Sequence, residues 1–364
     1  MRLQNALWDL VVPTSVGVRL TPENRQQFAH SSRLFMQATS AETNVASVIS
    51  GLGLRAKVLT RFVEGSPIAS FIRSDLRSRG LDVEGPTVPQ GGAWGYRHQF
   101  NLADCGFGTR GPRVWNDRAG EVGTSIQAQD FDLDRIFAQE RVKIVHISGL
   151  IAALSEKTGQ MCIDIAKYAK AHDSVISFDL NYRKSFWDGR EHELSTVFRE
   201  IAAMSDILFG NEEDFQLALG IPGPETGGEN LEPEGFQQMI GRVRNTYPQA
   251  KYIATTLRKV LSANRHLWGM MLWRREEAGK SKIKDGQFLF ADPREIEVLD
   301  RIGGGDASIG GLLYGILRGF SPEECLRFAW GCGALVAGNL TDYLLPTDED
   351  QVWSAWSGNA RVRR

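Results

Sequence analysis

Apolar and polar positions along the chain alternate between two periods. Short apolar runs of strand length recur at residues 8–12, 16–20, 57–62, 142–147, 175–179, 207–209 and 252–256. Between them, apolar residues fall three and four positions apart; Val45, Val48, Ile49 and Leu52 predict a helix over 40–50. The same spacing predicts helices over 66–79, 155–171, 191–204, 211–219 and 235–247, with Gly80 as a stop and Asn211 as an N-cap. Two apolar helices, 306–317 and 322–337, follow a meander of strands at 265–273 and 287–290 joined by the charged turn 274–285. Strands that alternate with helices predict an α/β fold, with a mostly parallel central sheet and helices on both faces.

One region breaks the rhythm. From 82 to 117 glycine and proline are frequent, and 91–100 and 113–116 read as short exposed strands. This texture predicts a lid or small β-subdomain. Its aromatics, Trp94 and Trp115 among them, and its open strand edges predict pairing with a second copy, a dimer through the lid.

The densest candidate chemistry lies near the C-terminal end. An apolar run closes on Asp300, and Arg301-Ile302-Gly303-Gly304-Gly305-Asp306 opens the first of the two apolar helices. Strand, glycine loop and helix N-terminus form an anion-binding arrangement, because outward N–H groups and the helix dipole favour negative charge. Asp306 would repel a phosphate there unless it acts, and the economical action is that of a general base beside a bound phosphoryl group. Asp is also a common helix N-cap, and the motif in isolation favours that reading.

Other candidates sit just past predicted strand ends, where ligands bind in open α/β sheets. Asp179, Asn181 and Arg183 follow one strand, and Arg183 suits a carboxylate or phosphate as well as a salt bridge to Asp179. Asn211-Glu212-Glu213-Asp214 opens a helix, where acids are favoured by the dipole and also suit the water shell of Mg²⁺. Arg118 leaves the lid region, and Thr256 and Arg258 end a strand. Gly51 to Ala56 matches G-x-G-x-x-A but leads from helix to strand, the reverse of the dinucleotide fingerprint.

Composition narrows the class. The chain has 364 residues, 42% hydrophobic and 24% charged, with a formal net charge of -2. That is ordinary globular composition, without the basic excess of a nucleic-acid binder. The four cysteines form no C-x-x-C pair, and Cys325 and Cys332 lie too far apart on one helix for a disulfide. No run approaches a membrane span, and residues 1–9 hold no apolar segment of signal-peptide length. The expectation is a cytoplasmic protein with reduced thiols. The six histidines lack metal-ligand spacing, and P-loop, G-x-S-x-G and H-E-x-x-H motifs are absent from the sequence.

With these residues in view, the chain resembles the ribokinase-like (PfkB) carbohydrate kinases. Asp300-Arg301-Ile302-Gly303-Gly304-Gly305-Asp306 matches that family's D-[TR]-x-G-[AG]-G-D signature. Phe178 to Arg183 with Trp187, Gly210 to Asp214, and Ala41-Glu42-Thr43-Asn44-Val45-Ala46 are similar to the 2-keto-3-deoxygluconate kinase branch. Order and spacing agree over nearly the whole chain.

The resemblance implies one three-layer ribokinase-like domain over 1–364, with a β-sheet lid formed by about 13–38 and 86–118. It implies ATP-dependent phosphorylation of a sugar or sugar-acid hydroxyl, with Asp306 as base and Gly303, Gly304 and Gly305 as the anion hole. Substrate contacts carry over to Asn44, Ser40, Arg97, Arg118 and Arg183. Nucleotide contacts carry over to Asn211, Thr256, Arg258 and Asn339, and Mg²⁺ through water to Asp214 and Glu213. Asp300 falls where related enzymes hold a monovalent cation such as K⁺. Four departures stand out; in the lid, Gly95-Tyr96-Arg97 stands where the resemblance implies a substrate-facing tyrosine near position 97. The family's Gly-Gly is here Thr39-Ser40; the Gly-Glu or Gly-Asp after the first strand is replaced within Pro13 to Gly17; and the segment after Thr256 lacks its glycines. The alternatives are a kinase for a neutral ketose or nucleoside, and a catalytically silent sugar-binding protein on the same fold.

Overall fold

The computed structural model describes residues 5–225, 231–276 and 286–359. Among these, nine strands form one sheet. Its order is Gln287–Glu297, Arg265–Arg274, Tyr252–Ser262, Ile207–Phe209, Val175–Asp179, Val142–Ser148, Trp8–Pro13, Ala56–Leu59 and Asp82–Glu84. The last seven run parallel, and the first two add antiparallel. Helices cover both faces, so the parallel strands are apolar throughout rather than alternating. Val11, Val145, Ile147, Ile176 and Phe178 enter one core. Leu10, Val12, Ile144 and Val175 enter the other, against the helices Ala41–Gly51, Gly304–Arg318 and Pro322–Ala337.

A second sheet has four strands in the order Leu34–Thr39, Gly17–Pro22, Phe100–Asp104 and Arg113–Asp117. Both edge strands of this sheet carry exposed apolar residues: Phe35 and Met36 on one, Val114 and Trp115 on the other, Trp115 to 72%.

The helices 191–204 and 322–337 and the strands 175–179 and 207–209 fall at the residues the periodicity predicts. Three expectations are corrected. Residues 91–99 hold turns and one isolated bridge, Arg97 to Glu121, and the strand starts at Phe100. Gly91 and Gly92 take positive φ there, which a strand cannot use. The strand expected to end at Thr256 continues to Ser262, paired along its length with Arg265–Arg274, so Thr256 and Arg258 lie within a strand. The strand before the glycine loop ends at Glu297, three residues short of Asp300, and is antiparallel. The charged turn lies mostly outside the described residues.

Candidate active site

The helix Gly304–Arg318 begins without a side-chain cap. Its N-cap, Gly303, has φ 89° and ψ −4°, and a Cβ there would lie 1.8 Å from the Asp342 carbonyl oxygen. Both the left-handed backbone and the close approach require glycine. A Cβ on Gly305 would meet nothing within 4 Å, so the space before the first turn is open. The first helical bond runs from Ala307 N–H to Gly303 C=O at 2.8 Å. The N–H groups of Gly304, Gly305 and Asp306 therefore have no intrahelical acceptor and can hold an anion. The expected trio of Gly303, Gly304 and Gly305 overlaps this set, since the N-cap N–H of Gly303 also lacks an intrahelical acceptor.

Asp306 sits half-buried in that first turn. Asn44 Nδ2 donates to its Oδ2 at 2.8 Å. Burial raises the Asp306 pKa to about 7; the Asn44 bond opposes the rise, Asp342 adds to it, Arg183 opposes it, and Glu42 adds to it. Asn44 reaches this position because Ser40 caps its helix, accepting from Thr43 N–H at 3.1 Å. A base with a pKa near neutrality can both exist ionised and accept a proton usefully.

Two further acids crowd the site. Burial first, then Asp214 and Asp306, push Asp179 well above the usual carboxylate range. Burial raises Asp214 to about 6, against the pull of Arg183 and two backbone bonds. Those bonds come from Asn211 N–H and Tyr182 N–H, each at 2.8 Å, and occupy both Asp214 oxygens. Asn211 returns the capping box, accepting from Asp214 N–H at 2.8 Å. Asp214 thus serves the helix start, while the neighbouring Glu213 is exposed. Glu213 and the Asn211 edge fit a water-mediated Mg²⁺ better than Asp214 does. Among the described residues, no group of three or more His, Cys, Asp or Glu is arranged to hold a metal directly.

The expected arginines divide. Arg183 is exposed, its Nη1 donating to Tyr182 C=O at 2.6 Å, and it lies within electrostatic reach of Asp179, Asp214 and Asp306. Arg118 donates to both oxygens of buried Glu121 at 2.9 and 3.0 Å. Glu121 also accepts from Ser15. Arg97 is ion-paired with Asp117, and its Nε donates to Ala119 C=O at 2.6 Å. Arg97 therefore braces the exit of the second sheet rather than standing free. Arg258 lies within electrostatic reach of Arg301, Glu212 and Arg183. Thr256 is half-buried in the same strand. Asn339 follows the helix Pro322–Ala337, whose terminal carbonyl accepts from Leu299 and Asp300 N–H at 2.7 and 3.2 Å.

Thr39-Ser40 has a structural account. Thr39 Oγ1 donates to Asp342 Oδ2 at 2.5 Å, and Ser40 is the helix cap. Several contacts could not be read from spacing. Glu42 accepts from Thr14 Oγ1 at 2.6 Å. Asn181 holds φ 37°, a backbone state that asparagine tolerates and that clusters at functional sites. Glu42 Oε1, Asn44 Oδ1 and Asn181 Oδ1 are buried without a hydrogen-bond partner. Asp300 is ion-paired with Arg19, and no spacing rule reaches across 281 positions to find it.

The chain matches the model of the pfkB family carbohydrate kinases over residues 123–250 and 276–347, more than half its length. It belongs to that family. A 5-dehydro-2-deoxygluconokinase of Clostridium tetani is 23% identical, over 94% of this chain and 91% of that protein. A 2-dehydro-3-deoxygalactonokinase of Haloferax volcanii is 24% identical, over 98% of this chain and 99% of the other. The crystal structure of 2-dehydro-3-deoxygluconokinase from Thermotoga maritima superposes with a TM-score of 0.84 at 25% identity, covering 96% of this chain and 98% of that one. The fold is ribokinase-like, and the chain is an enzyme, a carbohydrate kinase of a family that uses ATP. The silent sugar-binding alternative yields to that assignment. No helix among the described residues is long and apolar enough to cross a membrane.

Proposed function

We propose that the chain phosphorylates a hydroxyl of a 2-keto-3-deoxygluconate-like sugar acid, using ATP. The carrying observation is Asp306: a carboxylate with a pKa near 7, hydrogen-bonded to Asn44, in the first turn of a helix opened by glycines. In this reading the ionised Asp306 takes the hydroxyl proton as the sugar oxygen bonds to the γ-phosphorus. The bond from phosphorus to the bridging oxygen breaks, and ADP leaves with its electron pair. The N–H groups of Gly304, Gly305 and Asp306 bind the equatorial oxygens. Magnesium arriving with ATP would neutralise phosphate charge, its water shell held by Asn211 and Glu213. Arg258, Arg301 and Arg183 supply positive charge where the strand after Thr256 lacks glycines. Thr256 and Asn339 remain candidate nucleotide contacts.

The buried, unpartnered oxygens of Glu42, Asn44 and Asn181 suit sugar hydroxyls, which donate as well as accept. The relatives' names, all gluconates or galactonates, support an acid substrate. Arg183 is the residue proposed to meet its carboxylate, with Arg118 shared with Glu121. One observation favours a neutral sugar as second reading: Arg97 and Arg118 already have carboxylate partners. Turnover with paired acid and neutral sugars decides between them. The Arg183→Ala enzyme should lose about 10–100-fold in kcat/KM on the acid only. An Asp306→Asn enzyme with near wild-type turnover would sink the whole reading, since a lost base costs about 10²–10⁴ in rate.

The four-stranded sheet is proposed as the lid over this site, within the expected 13–38 and 86–118. Its exposed rim of Phe35, Met36, Val114 and Trp115 is proposed to pair with a second copy. The four cysteines are free and buried, which suits the reducing cytoplasm.

A further inference from the structure

The glycine loop rests on a buried ion pair. Arg19 and Asp300 are both fully buried, and Arg19 Nη2 donates to Asp300 Oδ2. The same oxygen accepts from the Cys105 thiol at 3.3 Å, and Asp300 Oδ1 accepts from Ile302 N–H at 3.0 Å. Arg19 lies in the central part of the lid sheet, opposite Gln37 on one neighbouring strand and Asn101 on the other. A second acid, Asp342, is within electrostatic reach of Arg19 and takes its hydrogen bond from Thr39, at the end of another lid strand. Asp342 also contributes the carbonyl that forbids a side chain at Gly303. Two lid strands thus grip the two segments that flank the anion hole.

The family resemblance puts a monovalent cation at Asp300. The donor set here does not fit one. Potassium needs a shell of oxygens, and the Asp300 oxygens face a guanidinium, a thiol and a backbone N–H, all donors. A guanidinium keeps its charge at any pH the protein survives. A second cation about 4 Å from it, at an effective dielectric near 20, would bind on the order of 10³-fold more weakly than beside a bare carboxylate.

We propose that the Arg19 guanidinium is a built-in counter-cation for Asp300, so that this kinase needs no potassium or other small monovalent cation. The charge that a bound ion would place beneath the anion-hole loop is supplied covalently from the lid sheet. The loop is then organised whenever the chain is folded, whatever the salt.

The test has an activity arm, which rests on the kinase reading, and two arms that do not. ATP turnover with a sugar acid is compared in about 0.1 M potassium chloride and in tetramethylammonium chloride of equal ionic strength. Rates within about twofold are expected; stimulation of about tenfold or more by potassium would overturn the proposal. Wild-type thermal midpoints in the two salts should agree within about 1 °C, and a potassium-dependent rise of several degrees would also overturn it. Crystals soaked in rubidium should give no anomalous peak within ligand distance of Asp300, and a peak there refutes the claim outright. Arg19→Met leaves Asp300 buried and unpaired, so its midpoint should fall and should become potassium-dependent. Should that variant not fold, the wild-type midpoint and rubidium arms still decide. Absence of turnover in every salt counts against the kinase reading, and those two arms decide the cation question regardless.

Discussion

Asn44→Ala tests the role of Asp306 without touching the carboxylate itself. The substitution removes the donor that lies 2.8 Å from Asp306 Oδ2. That bond opposes burial, which raises the Asp306 pKa from 3.8 to about 7, and the upward push of Asp342 and Glu42 remains in the variant. A hydrogen bond to an ionised group contributes about 1.5–3 kcal/mol. At about 1.4 kcal/mol per pH unit, its loss moves the acid limb of the profile upward by roughly one to two pH units. At pH 7 the ionised fraction falls from about one-half to between about one-tenth and one-hundredth. The assay is ADP release against pH from about 5.5 to 9.5, fitted as kcat/KM so that the midpoint reports the free enzyme. Asn44 is also proposed to meet the sugar, so the plateau height drops as well. The informative quantity is the position of the limb. A variant whose limb stays within about 0.3 pH unit of the wild type would refute the claim that Asn44 tunes a base at Asp306.

The remaining predictions use other parts of the site. Asp306→Asn should gain thermal stability, by about a few degrees, at and above neutral pH. A raised native pKa is a stability contribution present below the unfolded value of about 3.8 and lost as pH rises through about 7, so the gain vanishes in acid, builds between about pH 4 and 7 and is full above pH 7. Gly303→Ala should destabilise by at least about 1–2 kcal/mol in urea unfolding, because of its φ of 89° and the Asp342 carbonyl. Gly305→Ala, with open space around its Cβ, should fold normally and lose turnover by crowding the phosphoryl group. Thr39→Ala leaves the buried Asp342 Oδ2 without its 2.5 Å donor and should cost about 1–3 kcal/mol by the same measurement. Trp115→Glu should shift light-scattering mass toward the monomer if the open lid edge pairs two copies.

The periodic helices and buried strands were legible because each repeats a local rule: apolar residues three and four apart on a helix, or a short apolar run on a strand buried on both faces. Val175–Asp179 and the helix Glu191–Met204 need nothing beyond those rules. The glycine loop was also legible, since three glycines and an acid before an apolar helix carry their chemistry in order along the chain. Residues 91–99 misled because glycine-rich polar sequence fits a twisted strand and a string of turns equally, until the positive φ of Gly91 and Gly92 decides it. The strand through Arg258 outruns the apolar pattern because Arg258-Lys259 interrupts it; only pairing with Arg265–Arg274 extends it to Ser262.

Site assignments divide along the same line. Asp306, Asn44 and Arg183 stood out as motif members, but a motif cannot state charge or partner. The tertiary structure decides that Asp214 gives both oxygens to backbone N–H groups, that Arg97 and Arg118 meet Asp117 and Glu121, and that Asp300 meets Arg19. Each contact costs desolvation that depends on what else is buried around it, and those neighbours come from distant parts of the chain. The sequence by itself therefore determined the alternation of elements, the glycine-opened helix and the acid in its first turn. Only the folded chain decided that this acid is held near neutrality and that an arginine of the four-stranded sheet meets Asp300 before the loop.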